Sequence, residues 1–408
     1  MKKPIFAMIP SGYKASTFYT PIPIDGSGDF AFTRSTVATR VNKDGLIEEV
    51  AANVPRLDYR DSNCPSLLIE PATTNQVDYS QPTAGGQGWA TNGTPVVTYL
   101  SDIAPDGTKT AQRYETNANG EGKFLQTEQP FTIGEFVTAS FFVKHISGNP
   151  LLKINIAGTS VGTVKNFYYN IEEGFVNEIQ DLATQASVED YGNGWFRIIA
   201  TAEATATGVA RSTIYSSGDD PATWLWWGAQ LEASRVVTSY VKTTGAEALR
   251  NRDLFGDTLN AEILKNVNTE GSLYFHFKPL NDGIPFKGIE LADGSNGHRI
   301  LLRQDGDNSY TVYYQVVGIT KTSLAFPLDP TIQYHKVVVV WKQGTIQVYL
   351  NGVLVNENLT FDLTGVSPFT LLTLSGGGGG QYWNGSAKEL MVFNEYLTEA
   401  EAIELTTI

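Results

Sequence analysis

The chain has 408 residues, of which 41 % are hydrophobic, 11 % aromatic and only 18 % charged, and it contains 39 glycines. These values exclude a collagen-like or disordered chain and favour several domains rich in β-strands and tight turns. The formal net charge of −14 disfavours nucleic-acid binding, and the single cysteine, Cys64, excludes an intrachain disulfide. No apolar run approaches the ~18 residues of a membrane span, so membrane insertion is not expected.

Residues 1–83 form the first predicted region. Their apolar residues are dispersed, and turn motifs such as Ile24–Phe30 (IDGSGDF) and Asn42–Leu46 (NKDGL) recur. Gly and Asp are typical turn residues, because Gly adopts positive φ and Asp bonds its own backbone. The region is therefore predicted to be an extended attachment segment that buries its apolar residues elsewhere. On that ground we expect a homo-oligomer, a trimer or a dimer.

Residues 84–253 form the second predicted region, a β-sandwich. Segments rich in β-branched and aromatic residues recur here at strand length, separated by Gly and Asn. They are Ala139–Lys144, Leu151–Ala157, Asn166–Ile171, Trp195–Thr201 and Thr223–Gly228.

Residues 254–408 form the third predicted region, a second β-sandwich. In Ser272–Phe277, the residues Leu273, Phe275 and Phe277 alternate with Tyr274 and His276, as in a half-buried strand. Thr398 and Glu401 have the spacing of a capping box, which predicts one short helix over Glu399–Leu405. The predicted fold class is thus all-β, with two antiparallel sandwiches and a C-terminal helix.

Three sets of motifs resemble known families. Phe32–Arg40 (FTRSTVATR) and Val54–Ser80, with its LLIEP…TN…YS pattern, resemble the N-terminal stretch of tailed-bacteriophage virion proteins. Trp226–Glu232 (WWGAQLE) is similar to the last strand of the carbohydrate-binding-like jelly roll in those proteins. Tyr334–Val337 (YHKV) and Val348–Gly352 (VYLNG) resemble the laminin-G/concanavalin-like family.

These resemblances imply a structural protein of the virion, located on a tail or head fibre. They imply that the N-terminal segment binds other virion proteins and that two lectin-like sandwiches, jelly-roll and concanavalin-like, project from it. The resemblances imply this class of protein but not its ligand, and host-surface polysaccharide is a candidate partner. Because the segment similar to laminin-G has no clear metal loop, calcium dependence is not carried over.

Motifs of catalytic chemistry are weak in this sequence. Gly158–Gly162 (GTSVG) matches a nucleophile elbow in its letters, but a strand-like segment follows where the elbow needs a helix, so a hairpin loop is expected. Asp305–Ser309 (DGDNS) lacks the Gly and Glu of a calcium loop, which favours a tight turn. No paired carboxylates stand in a strand. We therefore predict no enzyme activity, no cofactor and no metal.

Aromatic residues are the remaining candidates for ligand binding, because sugars stack their C–H faces on aromatic rings. The candidate carbohydrate-binding residues are Trp224 and Trp226, which share one face of a predicted strand, and Tyr382 and Trp383, which follow a glycine run at 376–380. The favoured function is attachment to host glycans. The alternative is a head-decoration or assembly component without a ligand, in which exposed aromatic residues contact other subunits.

Overall fold

The computed structural model describes residues 2–14, 16–125, 127–180, 184–256, 261–295, 297–374 and 382–408. The chain forms two compact units, each assembled from separate stretches of sequence. Unit 1 comprises Met1–Ser35, Val50–Pro71 and Arg252–Ile408, and unit 2 comprises Thr36–Glu49 and Ala72–Asn251. Residues 1–83 are thus distributed over both units. Their binding to another virion protein stays a prediction.

Nearly all regular structure is antiparallel β-strand. The first strands are β1 (Phe6–Met8), β2 (Tyr13–Lys14), β3 (Thr17–Phe18), β4 (Phe30–Thr33), β5 (Ala38–Val41), β6 (Ile47–Val50), β7 (Arg56–Asp58), β8 (Ser66–Ile69) and β9 (Thr73–Asn75). The next strands are β10 (Trp89–Asn92), β11 (Val96–Asp102), β12 (Ala111–Thr116), β13 (Gly122–Leu125), β14 (Gln129–Phe131), β15 (Phe136–Gly148), β16 (Leu151–Ala157), β17 (Lys165–Asn170), β18 (Phe175–Ile179), β19 (Thr184–Asp190), β20 (Phe196–Glu203), β21 (Gly208–Ser216), β22 (Ala222–Ala233) and β23 (Ala248–Arg250).

The last part of the chain adds strands and one helix. They are β24 (Leu254–Phe255), β25 (Glu270–Pro279), β26 (Lys287–Ala292), β27 (Arg299–Gly306), β28 (Ser309–Val316), β29 (Ile319–Pro327), β30 (His335–Lys342), β31 (Gly344–Leu350), β32 (Val353–Phe361), β33 (Leu371–Thr373), β34 (Gly385–Phe393) and α1 (Glu399–Thr406). The all-β prediction with one terminal helix is confirmed. Among the described residues, no helix has both the length and the apolar character needed to cross a membrane.

Unit 1 is a sandwich of two sheets. The β25 sheet has the order β32-β31-β30-β25-β34-β8-β7, and the β28 sheet has the order β29-β28-β27-β26-β33. Both contribute to one core, in which Leu273 and Phe275 of β25 meet Ile300 and Leu302 of β27. Tyr274 faces the opposite side of the β25 sheet and packs there with α1. The alternation predicted for β25 is therefore confirmed.

Helix α1 begins as its sequence predicts. The Thr398 side chain accepts from the Glu401 backbone N–H, and the Glu401 side chain accepts from the Thr398 N–H, which completes a capping box. The helix packs on the outer side of the β25 sheet, where Leu397 and Ala402 are buried with Val338 and Tyr349.

Unit 2 is also a sandwich. The β22 sheet has the order β11-β12-β22-β15-β20-β19, and the β16 sheet has the order β10-β13-β21-β16-β17-β18, with β14 paired to β21. Trp226 of β22 and Phe141 of β15 share one core with Ile154 of β16 and Ile214 of β21. A second apolar layer lies on the other face of the β22 sheet and contains Leu225, Trp227, Tyr240 and Ile47.

The apolar residues near the N-terminus are buried inside unit 1. Phe6, Phe18, Phe30 and Phe32 belong to its core, and Phe255 contacts three of these rings, with 4.9 Å between the ring centroids of Phe32 and Phe255. Their burial is thus achieved within one chain. The need to bury these apolar residues therefore no longer supports the expectation of a homo-oligomer. The oligomeric state stays a prediction.

Candidate functional site

The tryptophans proposed from the sequence as sugar-stacking residues in unit 2 are core residues. Trp224 and Trp226 are each 0 % exposed. Trp224 stacks on Tyr114 with 4.6 Å between ring centroids, and Trp226 meets Trp89 edge-on at 5.3 Å. Trp227, on the opposite face of β22, is buried as well, because Ile47 and Tyr240 cover that face. None of these rings presents a face to a glycan, so the assignment of Trp224 and Trp226 to a binding surface is corrected.

The two candidates in unit 1 differ from one another. Trp383 is 1 % exposed and meets the rings of Phe275 and Phe277 at 5.0 and 5.9 Å, so it too is a core residue and is corrected. Tyr382 is half-buried, and the Arg252 guanidinium lies 4.9 Å from its ring centroid. The glycine run at 376–380 lies outside the described residues. Sugar binding by Tyr382 stays a prediction.

The side of the β28 sheet that faces away from the core carries polar and aromatic side chains. Because side chains alternate along a strand, the burial of Ile300 and Leu302 in the core turns Arg299 and Arg303 to the opposite face. On β28 the same rule turns Tyr313 outward. Arg303 lies between two rings, with its guanidinium carbon 4.1 Å from the Tyr313 centroid and 4.7 Å from the Phe286 centroid.

Hydrogen bonds fix the orientation of Arg303. Its Nε donates to Asp305 Oδ1, and its Nη2 donates to the Tyr313 hydroxyl oxygen at 2.6 Å. We call Phe286, Arg303, Asp305 and Tyr313 the arginine–aromatic cluster. A guanidinium held over aromatic faces gains cation–π attraction while its other N–H groups remain available as donors.

Phe286 reaches this cluster through an unusual backbone. Its φ is +69°, in the left-handed region that an aromatic residue rarely adopts, and its backbone N–H donates to Gln304 O at 2.7 Å. The side chain is nevertheless 43 % exposed. A costly conformation that leaves an apolar ring in solvent is a feature often found at binding sites.

Tyr382 borders the same face. Its neighbour Trp383 points into the core, so alternation directs Tyr382 outward. Gly288 is bridged to Tyr382 and is the cross-strand partner of Arg303 on β27. A Cβ at Gly288 would lie 2.4 Å from Leu302 O, so the position requires glycine. Gly288 lies on β26 between Tyr382 and Arg303, so no side chain stands between these two residues at this position.

The acidic groups of this face are engaged by arginines. Asp305 bonds Arg303, and Glu290 Oε2 lies 3.1 Å from Arg299 Nη1, while Arg299 Nε donates to Gln315 Oε1 at 2.6 Å. Within the described part of the chain, no group of three or more His, Cys, Asp or Glu side chains could hold a metal ion. The cluster offers aromatic faces and N–H donors, which suits binding of a polyhydroxylated ligand.

Two other sequence motifs behave as hairpin connections. Asp307 and Asn308 join β27 to β28, as a tight turn was expected to do. The GTSVG motif at Gly158–Gly162 joins β16 to β17. Its Ser160 is buried, and the Ser160 Oγ donates to Val209 O at 3.1 Å, so it is not presented as a nucleophile.

Sequence reasoning did not single out the arginine–aromatic cluster. Arg299, Arg303 and Asp305 stand at odd-numbered positions of β27 while the core residues Ile300 and Leu302 stand at even-numbered ones, which was a usable signal for an outward polar face. The stacking of Arg303 on Phe286 could not be predicted in this way, because it depends on the left-handed backbone conformation of Phe286 and on a loop whose course the sequence does not give.

Comparisons with known proteins agree with this fold. Residues 257–402 match the family model Laminin_G_3, described as the concanavalin A-like lectin/glucanases superfamily. Unit 1 therefore contains a concanavalin-like domain. A search of curated proteins found no match.

Solved structures show more distant likenesses. The CBM40 module of the Ruminococcus gnavus IT-sialidase has 12 % identity and a TM-score of 0.30, over 35 % of this chain and 85 % of that chain. The leech intramolecular trans-sialidase has 17 % identity and a TM-score of 0.28, over 35 % of this chain and 24 % of that chain. The binding domain of botulinum neurotoxin serotype C1 has 16 % identity and a TM-score of 0.32, over 38 % and 40 %. At these values the likenesses carry no argument about function.

Proposed function

We propose that the concanavalin-like unit is a glycan-binding module and that the arginine–aromatic cluster, bordered by Tyr382, is its contact surface. The observation that carries this proposal is the exposed ring of Phe286, held in a left-handed backbone conformation beside Arg303. Sugar C–H faces stack on the rings of Phe286 and Tyr313, and the remaining N–H groups of Arg303 donate to hydroxyls.

The pairing of the carboxylates on this face with arginines favours binding without hydrolysis. Glycoside hydrolysis needs an acid and a second carboxylate at a fixed separation. Asp305 and Glu290 instead each accept a hydrogen bond from an arginine, Arg303 and Arg299. Incubation of host polysaccharide with the protein is expected to release no reducing ends. Release that is lost in Asp305→Asn would contradict a purely binding role.

A glycan array probed with the full chain tests the proposed surface. We expect at least one bound glycan to lose signal at least about tenfold with Tyr313→Ala or with Phe286→Ala, because each variant removes one stacking face. Tyr19→Ala is the matched control, since Tyr19 is a part-exposed aromatic residue of the same unit and lies outside the cluster. Equal signals for wild type, Tyr313→Ala and Phe286→Ala would refute this surface.

The wider role that we propose is a virion appendage of a tailed bacteriophage, which presents the lectin-like units to the host surface. The phage-like N-terminal motifs support this role, and repeated copies on one particle would add avidity to weak sites. Antibody labelling of particles in the electron microscope tests it. Label at a tail or fibre tip supports host attachment, and absence of label from the particle refutes a virion location.

A head-decoration role is the second candidate. Ile284, Val317 and Ile319 are exposed apolar residues of unit 1, and such residues would suit contacts with neighbouring subunits. Label spread over the capsid, together with an array that shows no bound glycan, favours this candidate. Light scattering of the purified chain measures whether it forms the dimer or trimer expected from the sequence.

A further inference from the structure

The β16 sheet of unit 2 carries aromatic rings on the side that faces away from its core. Ile154, Phe167 and Ile214 are buried in the core, so alternation turns Tyr168 of β17 and Tyr215 of β21 outward. Val176 of β18 packs against the core, which turns Phe175 outward, where it is 42 % exposed. Tyr168 and Tyr215 are half-buried. We call Tyr168, Phe175, Tyr215 and the intervening Lys153 the aromatic platform.

The strand register brings these residues into a row. Lys153 of β16 is the cross-strand partner of both Tyr215 and Tyr168, so the order Tyr215–Lys153–Tyr168 crosses three adjacent strands. Neighbouring strands lie about 4.8 Å apart, which sets the two tyrosines about 10 Å apart. The Lys153 Nζ lies 5.8 Å from the Tyr215 ring centroid. Stacking surfaces thus recur along a line perpendicular to the strands.

Gly122 lies at the Tyr215 end of this row, where the structure has no room for a larger side chain. Gly122 of β13 is the cross-strand partner of Tyr215. A Cβ at Gly122 would lie 2.2 Å from Ile214 O and 3.0 Å from Tyr215 Cδ1. A larger residue there would displace β21 or the Tyr215 ring, so the glycine fixes where that ring can lie.

A second row adds hydrogen-bonding groups beside the rings. Asn155 of β16 is paired with Asn166 of β17 and with Thr213 of β21, and the Asn155 Nδ2 donates to Asn166 Oδ1. Amide side chains both donate and accept, which matches the hydroxyl groups of a sugar.

The charges of the platform cancel. Lys153 shares its row with Glu178, the cross-strand partner of Tyr168, and Arg211 Nη1 lies 3.8 Å from Glu128 Oε1. A strongly anionic or cationic polymer would gain nothing from such a surface. Aromatic faces with amides and balanced charge are complementary to an uncharged polyhydroxylated chain.

We propose that the aromatic platform is a second binding site, which takes an uncharged polysaccharide chain laid across the strands of the β16 sheet. Sugar rings of the chain stack on Tyr215 and Tyr168, and Lys153 donates hydrogen bonds to hydroxyls between them. This site belongs to unit 2 and does not rest on the function proposed for unit 1.

Native gels cast with hydroxyethyl cellulose, dextran or polygalacturonate, together with a glycan array, test the proposal on the full chain. We expect at least one neutral glycan to bind and the acidic polymer not to be preferred. Tyr168→Ala and Tyr215→Ala should each weaken neutral binding at least about tenfold, while Tyr168→Phe retains it because the ring remains. About 0.5 M NaCl should leave the retardation unchanged, because no ion pair to the ligand is screened.

Tyr99→Ala is the matched control, since Tyr99 lies on β11 of the other sheet of the same unit. Circular dichroism melts test whether each variant is folded. Tyr168→Phe, which retains the ring, is the variant to examine if Tyr168→Ala does not fold. The proposal is overturned if no neutral glycan binds in a way that depends on Tyr168 or Tyr215. It is also overturned if polygalacturonate binds more tightly and salt abolishes that binding. Tyr313→Ala should leave platform binding intact, so failure of one site is distinguishable from failure of the other.

Discussion

Arg34 and Asp253 form an ion pair inside unit 1 in which neither side chain is exposed, with 2.8 Å between Arg34 Nη1 and Asp253 Oδ1. Asp253 also bonds the guanidinium of Arg56, whose Nη1 lies 2.7 Å from Glu70 Oε2. Burial opposes the charge of Arg56, yet the carboxylates of Asp253 and Glu70 outweigh it and raise the pKa of the guanidinium. Two buried cations are thus balanced by two carboxylates.

Replacement of Asp253 should therefore strongly lower the free energy of unfolding. Asp253→Asn keeps the volume but removes the carboxylate that Arg34 and Arg56 share, and breaking such a buried pair costs about 3–5 kcal/mol of unfolding free energy. Urea unfolding measures the loss. Glu404→Gln, at an exposed position of α1, is the control and should change stability by less than about 0.5 kcal/mol. A loss below 1 kcal/mol in Asp253→Asn would mean that the network relaxes or hydrates.

Trp224 should be required for folding. Trp224→Ala removes a fully buried ring stacked on Tyr114, which costs about 3–5 kcal/mol, whereas Trp224→Phe keeps an aromatic ring and costs less. Urea denaturation followed by circular dichroism compares the two variants. A Trp224→Ala protein of unchanged stability that has lost glycan binding would restore Trp224 as a surface residue.

His335 should make unit 1 less stable in mild acid. Burial lowers the pKa of its imidazole, although the Asp329 carboxylate opposes this. Asn351 Oδ1 accepts from the Lys336 N–H, which points the Asn351 Nδ2 donor at His335 Nδ1, 3.2 Å away, and this nitrogen accepts only when it carries no proton.

A histidine whose folded pKa lies below its unfolded pKa binds more protons in the unfolded state. Its contribution to stability is therefore complete above about pH 6.5 and is lost as the pH falls through the lower, folded pKa. Unfolding free energies at several pH values should decline less steeply below pH 6.5 in His335→Gln than in wild type. Parallel curves for the two proteins would show that His335 is not the group responsible.

The β28–β29 hairpin offers a stabilising change. Val317 and Gly318 connect the strands with φ of +52° and +72°, and Val317 is 72 % exposed. A β-branched residue pays about 1–2 kcal/mol in the left-handed region, and Asn-Gly is the preferred pair for such a turn. Val317→Asn should raise the melting temperature. Gly318→Ala, which has open space for its Cβ but the wrong φ, should lower it. Equal melting temperatures would exclude backbone strain at this turn.

Local patterns in the sequence were sufficient for several elements. The alternation in Ser272–Phe277 correctly divided β25 into a core face and an outer face, and the Thr398 and Glu401 spacing located the start of α1. Both features depend on neighbours within a few residues. The assignment of Trp224, Trp226 and Trp383 to a binding surface failed because their burial depends on distant parts of the chain. Whether such a residue is buried is decided by what packs over its strand, not by the sequence of the strand itself.

Low charge, abundant glycine and period-two alternation determined by themselves that this chain is all-β and divided into sandwiches, since strand propensity and side-chain alternation are local properties. Only the tertiary structure decided that residues 1–83 are shared between two units, that Asp253 neutralises arginines about two hundred positions away in the chain, and that Phe286 and Tyr313 enclose Arg303. These contacts join residues far apart in the chain, and their free energy is gained only when the whole core forms.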